Sequence, residues 1–142
     1  SLFIPVVMFA AAVFLSFSTG TSWGTFAILV PIATAMFSGG ADLEMMVISV
    51  SSVLAGAVCG DHISPISDTT VMSSAGAQSN HINHVSTQMQ YAAVVAAVCL
   101  VGYVIAGIVH IWWVVLGISL LLLTGVLLVI RKMTGTKQAG RK

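Results

Sequence analysis

The chain has 142 residues, of which 58% are apolar and only 6% charged, with a formal net charge of +1 and a mean hydropathy of +1.06. One soluble core could not hide that much apolar surface in a chain of this size, whereas a bilayer lets helices be apolar all round, so composition excludes a soluble globular domain. The net charge by itself points to no partner, but its distribution is uneven: Asp42, Glu44, Asp61 and Asp68 all precede residue 70, and all five basic residues follow residue 130.

The chain enters an apolar run at once, with neither a basic region nor a small-residue cleavage site, so it reads as a fragment rather than as a signal peptide. The run at 2–17 and the next at 25–37 flank "STGTSWGT", and residues 16–36 hold seven hydroxyl side chains and two glycines. A single helix over 2–37 would be about 54 Å long, far beyond a hydrocarbon core of about 30 Å. Two half-depth helices joined by a polar tip near the midplane fit better than one helix kinked at Gly24 and Pro31. Broken backbone of this kind persists at membrane depth where it lines something wet.

The third run, 45–59, ends at "GDHISPISDTT". Pro65 lacks an N–H and pushes Ser64 out of the helical region, which breaks the helix between Asp61 and Asp68. Residues 45–80 are thus predicted to cross once as a broken helix. Asp61 would follow the C-terminal end of the first half, where free carbonyls and the dipole favour a cation, and Asp68 would cap the second half. Ser64, Ser67 and Thr69 offer the hard oxygen ligands that suit Na+. An aspartate at the bilayer centre costs about 3 kcal/mol, and no Lys or Arg precedes Arg131, so a cation or a proton must compensate it.

Two full spans follow, at 85–109 and 112–130. In the first, Ala92, Ala93, Ala96 and Ala97 have the spacing that admits a close helix neighbour, and in the second Trp112 and Trp113 face Arg131 and Lys132 across the core. The basic segment 131–142 places the C-terminus in the cytoplasm, "SNHINH" at 79–84 on the same side and the acidic loop around Asp42 outside. Cys59 and Cys99, within apolar runs, read as buried free thiols.

Enzymatic readings fare worse. Asp61, His62 and Ser64 lack a nucleophile elbow. His62, His81 and His84 lack the H-E-x-x-H pattern of a zinc protease, although a histidine pair facing the cytoplasm could sense pH; the roles of these three histidines stay open.

"GTSWGTFAILVPIA" followed by "GDHISPISDTTVMSS" resembles the C-terminal part of the NhaC family of Na+/H+ antiporters, within the wider ion transporter superfamily, over residues 16 to about 90. The resemblance implies an inverted-repeat membrane protein in which a re-entrant hairpin and a broken helix from each half meet at a midplane cation site. By matching position it assigns Thr21, Ser22, Asp61, Ser64, Ser67, Asp68 and Thr69 to that site; Asp61 would be the principal carboxylate for Na+ and H+, with Asp68 helping or capping. The same superfamily includes exchangers of organic acids such as malate and lactate, and drug-efflux relatives.

The expectation is therefore an all-α integral membrane domain over 1–130, with a hairpin at 2–37, a broken helix at 45–80 and two full spans, forming one repeat of a multi-pass transporter in the cell membrane. Its function would be secondary exchange of Na+ for H+. The alternatives are organic-acid exchange and a non-transporting assembly subunit. No cofactor beyond the transported Na+ and H+ and no nucleic acid are expected; the partners are the lipid bilayer, the N-terminal half of the transporter and, as an option, a second copy.

Overall fold

The computed structural model describes residues 3–39, 42–109 and 111–139, excepting the side chains of 133–139. Gly40 and Ala41 in the acidic loop, His110, and Arg141 and Lys142 of the basic segment lie outside the described residues. The described chain is all helical: α1 (Ile4–Thr19), α2 (Ser22–Ala35), α3 (Leu43–Ile63), α4 (Asp68–Gly76), α5 (His81–Ile108) and α6 (Trp112–Ala139). α3, α5 and α6 are long and apolar enough to cross a membrane, whereas α1 and α2 are shorter apolar helices.

The polar tip is much smaller than "STGTSWGT" suggests. Ser18 and Thr19 donate their hydroxyls to the carbonyls of Phe14 and Leu15, and Thr25 donates to that of Thr21. Hydroxyls bonded back one turn are satisfied inside a helix, so helical geometry continues through most of the motif. α1 stops at Gly20, whose φ of 68° is left-handed, and α2 begins at Thr21, whose side chain accepts from the Gly24 amide at 3.4 Å.

α1 runs parallel to α3, and α2 returns antiparallel beside both. Their shared core comprises Met8, Ala12, Ala33, Val53 and Ala57, with Phe26, Leu29 and Val50 packed against it. In lipid this association rests on close van der Waals fit rather than on hydrophobic transfer, so small residues matter most. A Cβ at Gly60 would strike the Val13 carbonyl and the Phe17 amide nitrogen, and one at Gly56 would lie 2.5 Å from the Phe9 carbonyl. The tight seam is therefore between α1 and α3. The alanines expected to serve this role on α5 do not: Ala92 and Ala96 are half-buried, and Ala93 and Ala97 are exposed.

α3 continues past the predicted end at residue 59 and carries Asp61 and His62 in its last turn, because nothing disfavours helix until Ser64, the residue before proline. At about 1.5 Å per residue α3 is about 31 Å long, enough to cross alone, and α1 is about 24 Å long. The hairpin tip thus reaches the level of the end of α3. α4 does not extend the line of α3, since one histidine ring, His81, reaches both Pro65 and Ser74. α4 folds back beside the break.

"HINH" forms the first turn of α5. Asn80 accepts from the Asn83 amide at 3.2 Å and starts α5 at His81. α5 packs on α3, where the Tyr103 hydroxyl lies 3.1 Å from the Ser51 carbonyl and its ring is 5.5 Å from that of Phe9. Among the described residues α6 packs on α5 alone and has no buried residue in its apolar stretch; it continues as helix beyond residue 130 into the basic segment, through Ala139. Cys59 and Cys99 are free, as predicted, and half-buried.

Candidate functional site

The last turn of α3 holds Asp61, which is 8% exposed and whose Oδ1 is buried with no hydrogen-bond partner. A buried polar atom left unpaired costs about 1–3 kcal/mol, and more when charged. The helix C-terminus adds its negative dipole end, which further disfavours a bare carboxylate there. The position therefore calls for a proton or a cation.

The hairpin clamps this turn. Ser16 donates to the Ala57 carbonyl at 2.6 Å, one turn before Asp61, and Ser64 donates to the Phe17 carbonyl at 2.8 Å, just after it. Gly60 lets α1 approach between these two bonds. Beyond it, a Cβ at Gly20 would stand 2.9 Å from both the side chain and the carbonyl of Ile66, so the tip backbone rests on the break. Because Ser64 spends its proton on Phe17, its oxygen lone pairs remain available to a cation.

The far side of the break is closed by α4 and α5. Ser67 and Thr69 share a hydrogen bond of 2.8 Å, and Thr70 reaches the His62 carbonyl at 3.4 Å. His81 Nε2 lies 2.8 Å from the Pro65 carbonyl, and its Nδ1 lies 2.9 Å from the Ser74 hydroxyl. Gln88, two turns along the same face of α5, has a buried Oε1 that also lacks a partner.

Of the residues singled out from sequence, Asp61, Ser64 and Ser67 are each buried, Asp61 just before the break and the two serines within it. Asp68 is exposed and occupies the first helical position of α4, where Ser67 is the cap residue; the acid still suits the dipole, but it does not cap. Thr69 is exposed apart from its bond to Ser67. Thr21 and Ser22 are half-buried at the start of α2, and the Thr21 hydroxyl is engaged by its own helix. The tip meets the break through Phe17 and Gly20 instead. His62 is exposed, and His84 is half-buried in the first turn of α5. Ser16, Thr70, Ser74 and His81 join the arrangement without having been predicted. Ser16 was discoverable, since it extends the stripe of Pro5, Met8, Phe9 and Ala12 at helical spacing, but the other three depend on how α4 folds back.

An apolar groove of about 700 Å³ between α3, α5 and α6, lined by Val47, Tyr103, Trp112 and Leu120 among others, is separate from this site and includes no residue of the break. Among the described residues no group of three or more His, Cys, Asp or Glu side chains could hold a metal. A hard cation would have to use Asp61 with hydroxyl and carbonyl oxygens.

An uncharacterized protein of Haemophilus influenzae is 53% identical over 108 residues, which are 76% of this chain and 21% of that relative, so the chain spans about a fifth of its length. No solved structure matches. The model of the Na+/H+ antiporter family matches residues 1–108, from the start of the hairpin to the end of α5, and the chain belongs to that family.

Proposed function

We propose that this chain supplies one repeat's share of the ion site in a secondary transporter that exchanges Na+ for H+ across the cell membrane, of the NhaC type and with its C-terminus in the cytoplasm. The observation that carries the reading is Asp61: a buried carboxylate oxygen without a partner, at a helix C-terminus, where the hairpin tip meets a broken helix. A proton and a cation are alternative ways to satisfy that oxygen. Binding either one therefore excludes the other, which is the thermodynamic requirement for coupled exchange at one carboxylate.

In this reading Asp61 is the principal Na+ and H+ carboxylate. Ser64 and Ser67 add neutral oxygens, with Thr69 behind Ser67, and Asp68 contributes negative potential from the first turn of α4. Thr21 and Ser22 stand at the N-terminus of α2 on the opposite side of the tip. The absence of any Lys or Arg before Arg131 supports a cation rather than an organic anion as the partner of this repeat. The free Oδ1 supports a transport role over a purely structural one, since a polar break used only for assembly would pair its own groups.

The test is Asp61→Asn in a full-length transporter containing this segment, assayed in everted membrane vesicles by Na+-induced collapse of a pH gradient. The amide cannot exchange a proton for Na+, so the response should vanish while membrane insertion and expression stay at the parent level. An undiminished response would overturn the assignment.

A further inference from the structure

We propose that His81 is a positioning residue for the ion site, holding the non-helical Pro65 carbonyl in place from the start of α5; this rests on the reading of Asp61 given above. The Pro65 carbonyl lies in the break, outside the helical bonding of α3 and α4, and a carbonyl can only accept. The contact at 2.8 Å therefore fixes Nε2 as the protonated nitrogen of the ring. Nδ1 faces the Ser74 hydroxyl at 2.9 Å, and Ser74 also lies 2.9 Å from the Val71 carbonyl. One side chain thus joins three elements: the break, the short helix beyond it and the long helix that follows.

The joint matters because of what Pro65 separates. Ser64 precedes it and is tied to the hairpin through Phe17; Ser67 follows it and is tied to Thr69. Both residues are fully buried, and among the described residues the backbone bonds across the segment are Ser64 N–H to the Asp61 carbonyl at 3.1 Å and Ser67 N–H to the Ser64 carbonyl at 3.3 Å. Proline contributes no donor of its own. Among the described residues His81 makes the one hydrogen bond from α5 to the break, so without it the Pro65 peptide and the spacing of Ser64 and Ser67 on either side of it would loosen.

Two isosteres separate the ring's two contacts. The amide nitrogen of glutamine occupies the place of Nε2 and can donate to Pro65, whereas the shorter asparagine matches Nδ1 and reaches only Ser74. In the full-length transporter, His81→Gln should keep the parent's apparent KM for Na+, while His81→Asn and His81→Ala should raise it about tenfold with much smaller changes in maximal rate. Hydrogen exchange of the peptide covering 64–71, followed without substrate ion, should accelerate in His81→Asn and His81→Ala but not in His81→Gln. This second readout involves no transported ion, so it stands even if Asp61→Asn leaves transport intact. Ser74→Ala removes the other contact and should leave exchange at 64–67 unchanged, which keeps the test open if His81→Ala fails to fold. Parent-like exchange in His81→Asn, or equal loss in the glutamine and asparagine variants, would overturn the proposal.

Discussion

At the scale of single residues, the hydroxyls of this chain divide by where their protons go. Ser18, Thr19 and Thr25 return theirs to their own helices, which removes them from any site, while Ser16 and Ser64 send theirs across to other elements and lock α1 onto the end of α3. The second kind holds the hairpin against the turn that carries Asp61. Ion occupancy should therefore order the break and the tip together. With Cys59 and Cys99 replaced, cysteines at Ser67 and at Ser22, which spares the Thr21 cap, should react with a small hydrophilic thiol reagent several-fold more slowly in Na+ than in choline. Equal rates in the two salts would separate these positions from the ion.

At the scale of elements, the decisive contact is between two parallel helices of unequal length. Gly60 stands against the Val13 carbonyl and the Phe17 nitrogen, which are backbone atoms that cannot rotate away. Gly60→Ala should lower the thermal midpoint of the detergent-solubilised protein, corresponding to about 1–3 kcal/mol of overpacking, and should weaken Na+ transport because the clamp on Asp61 opens. Gly117, on α6, has open space where a Cβ would go. Gly117→Ala should leave transport unchanged and shift the midpoint slightly upward if at all, since alanine is the better helix former. A similar loss in both variants would show that the seam is not specific.

At the scale of the whole molecule, the hairpin, α3, α4 and α5 form a connected unit, whereas among the described residues α6 touches α5 alone, and the family match ends where α5 ends. The hairpin tip and the helix break thus lie within the part that the family match covers. The acidic loop and "SNHINH" lie at opposite ends of α3, with Asp42 capping its start and Asn80 capping α5 beyond the break. Cysteines at Ser38 and Asn80 should accordingly be labelled by an impermeant reagent from opposite faces of the membrane, Ser38 from outside and Asn80 from the cytoplasm. Labelling of both from one face would contradict a single crossing by α3.

Composition and the residue order of "GDHISPISDTT" are enough to place this chain in a membrane, to predict a helix break at Pro65 and to single out Asp61, because these follow from transfer energies, proline geometry and the absence of a basic partner. The turn at Gly20 and the length of α5 are nearly legible for the same local reasons, once Asn80 is read as a cap. The rest required the tertiary structure. Which hydroxyls bond backward and which bond across depends on what lies opposite each one, so the breadth of the tip was misjudged. The close seam appeared on α3 rather than on the alanines of α5 because small residues permit an approach without selecting a partner. His81 came to the site because α4 folds back, bringing Pro65 and Ser74 within reach of a residue that local sequence places on a separate helix.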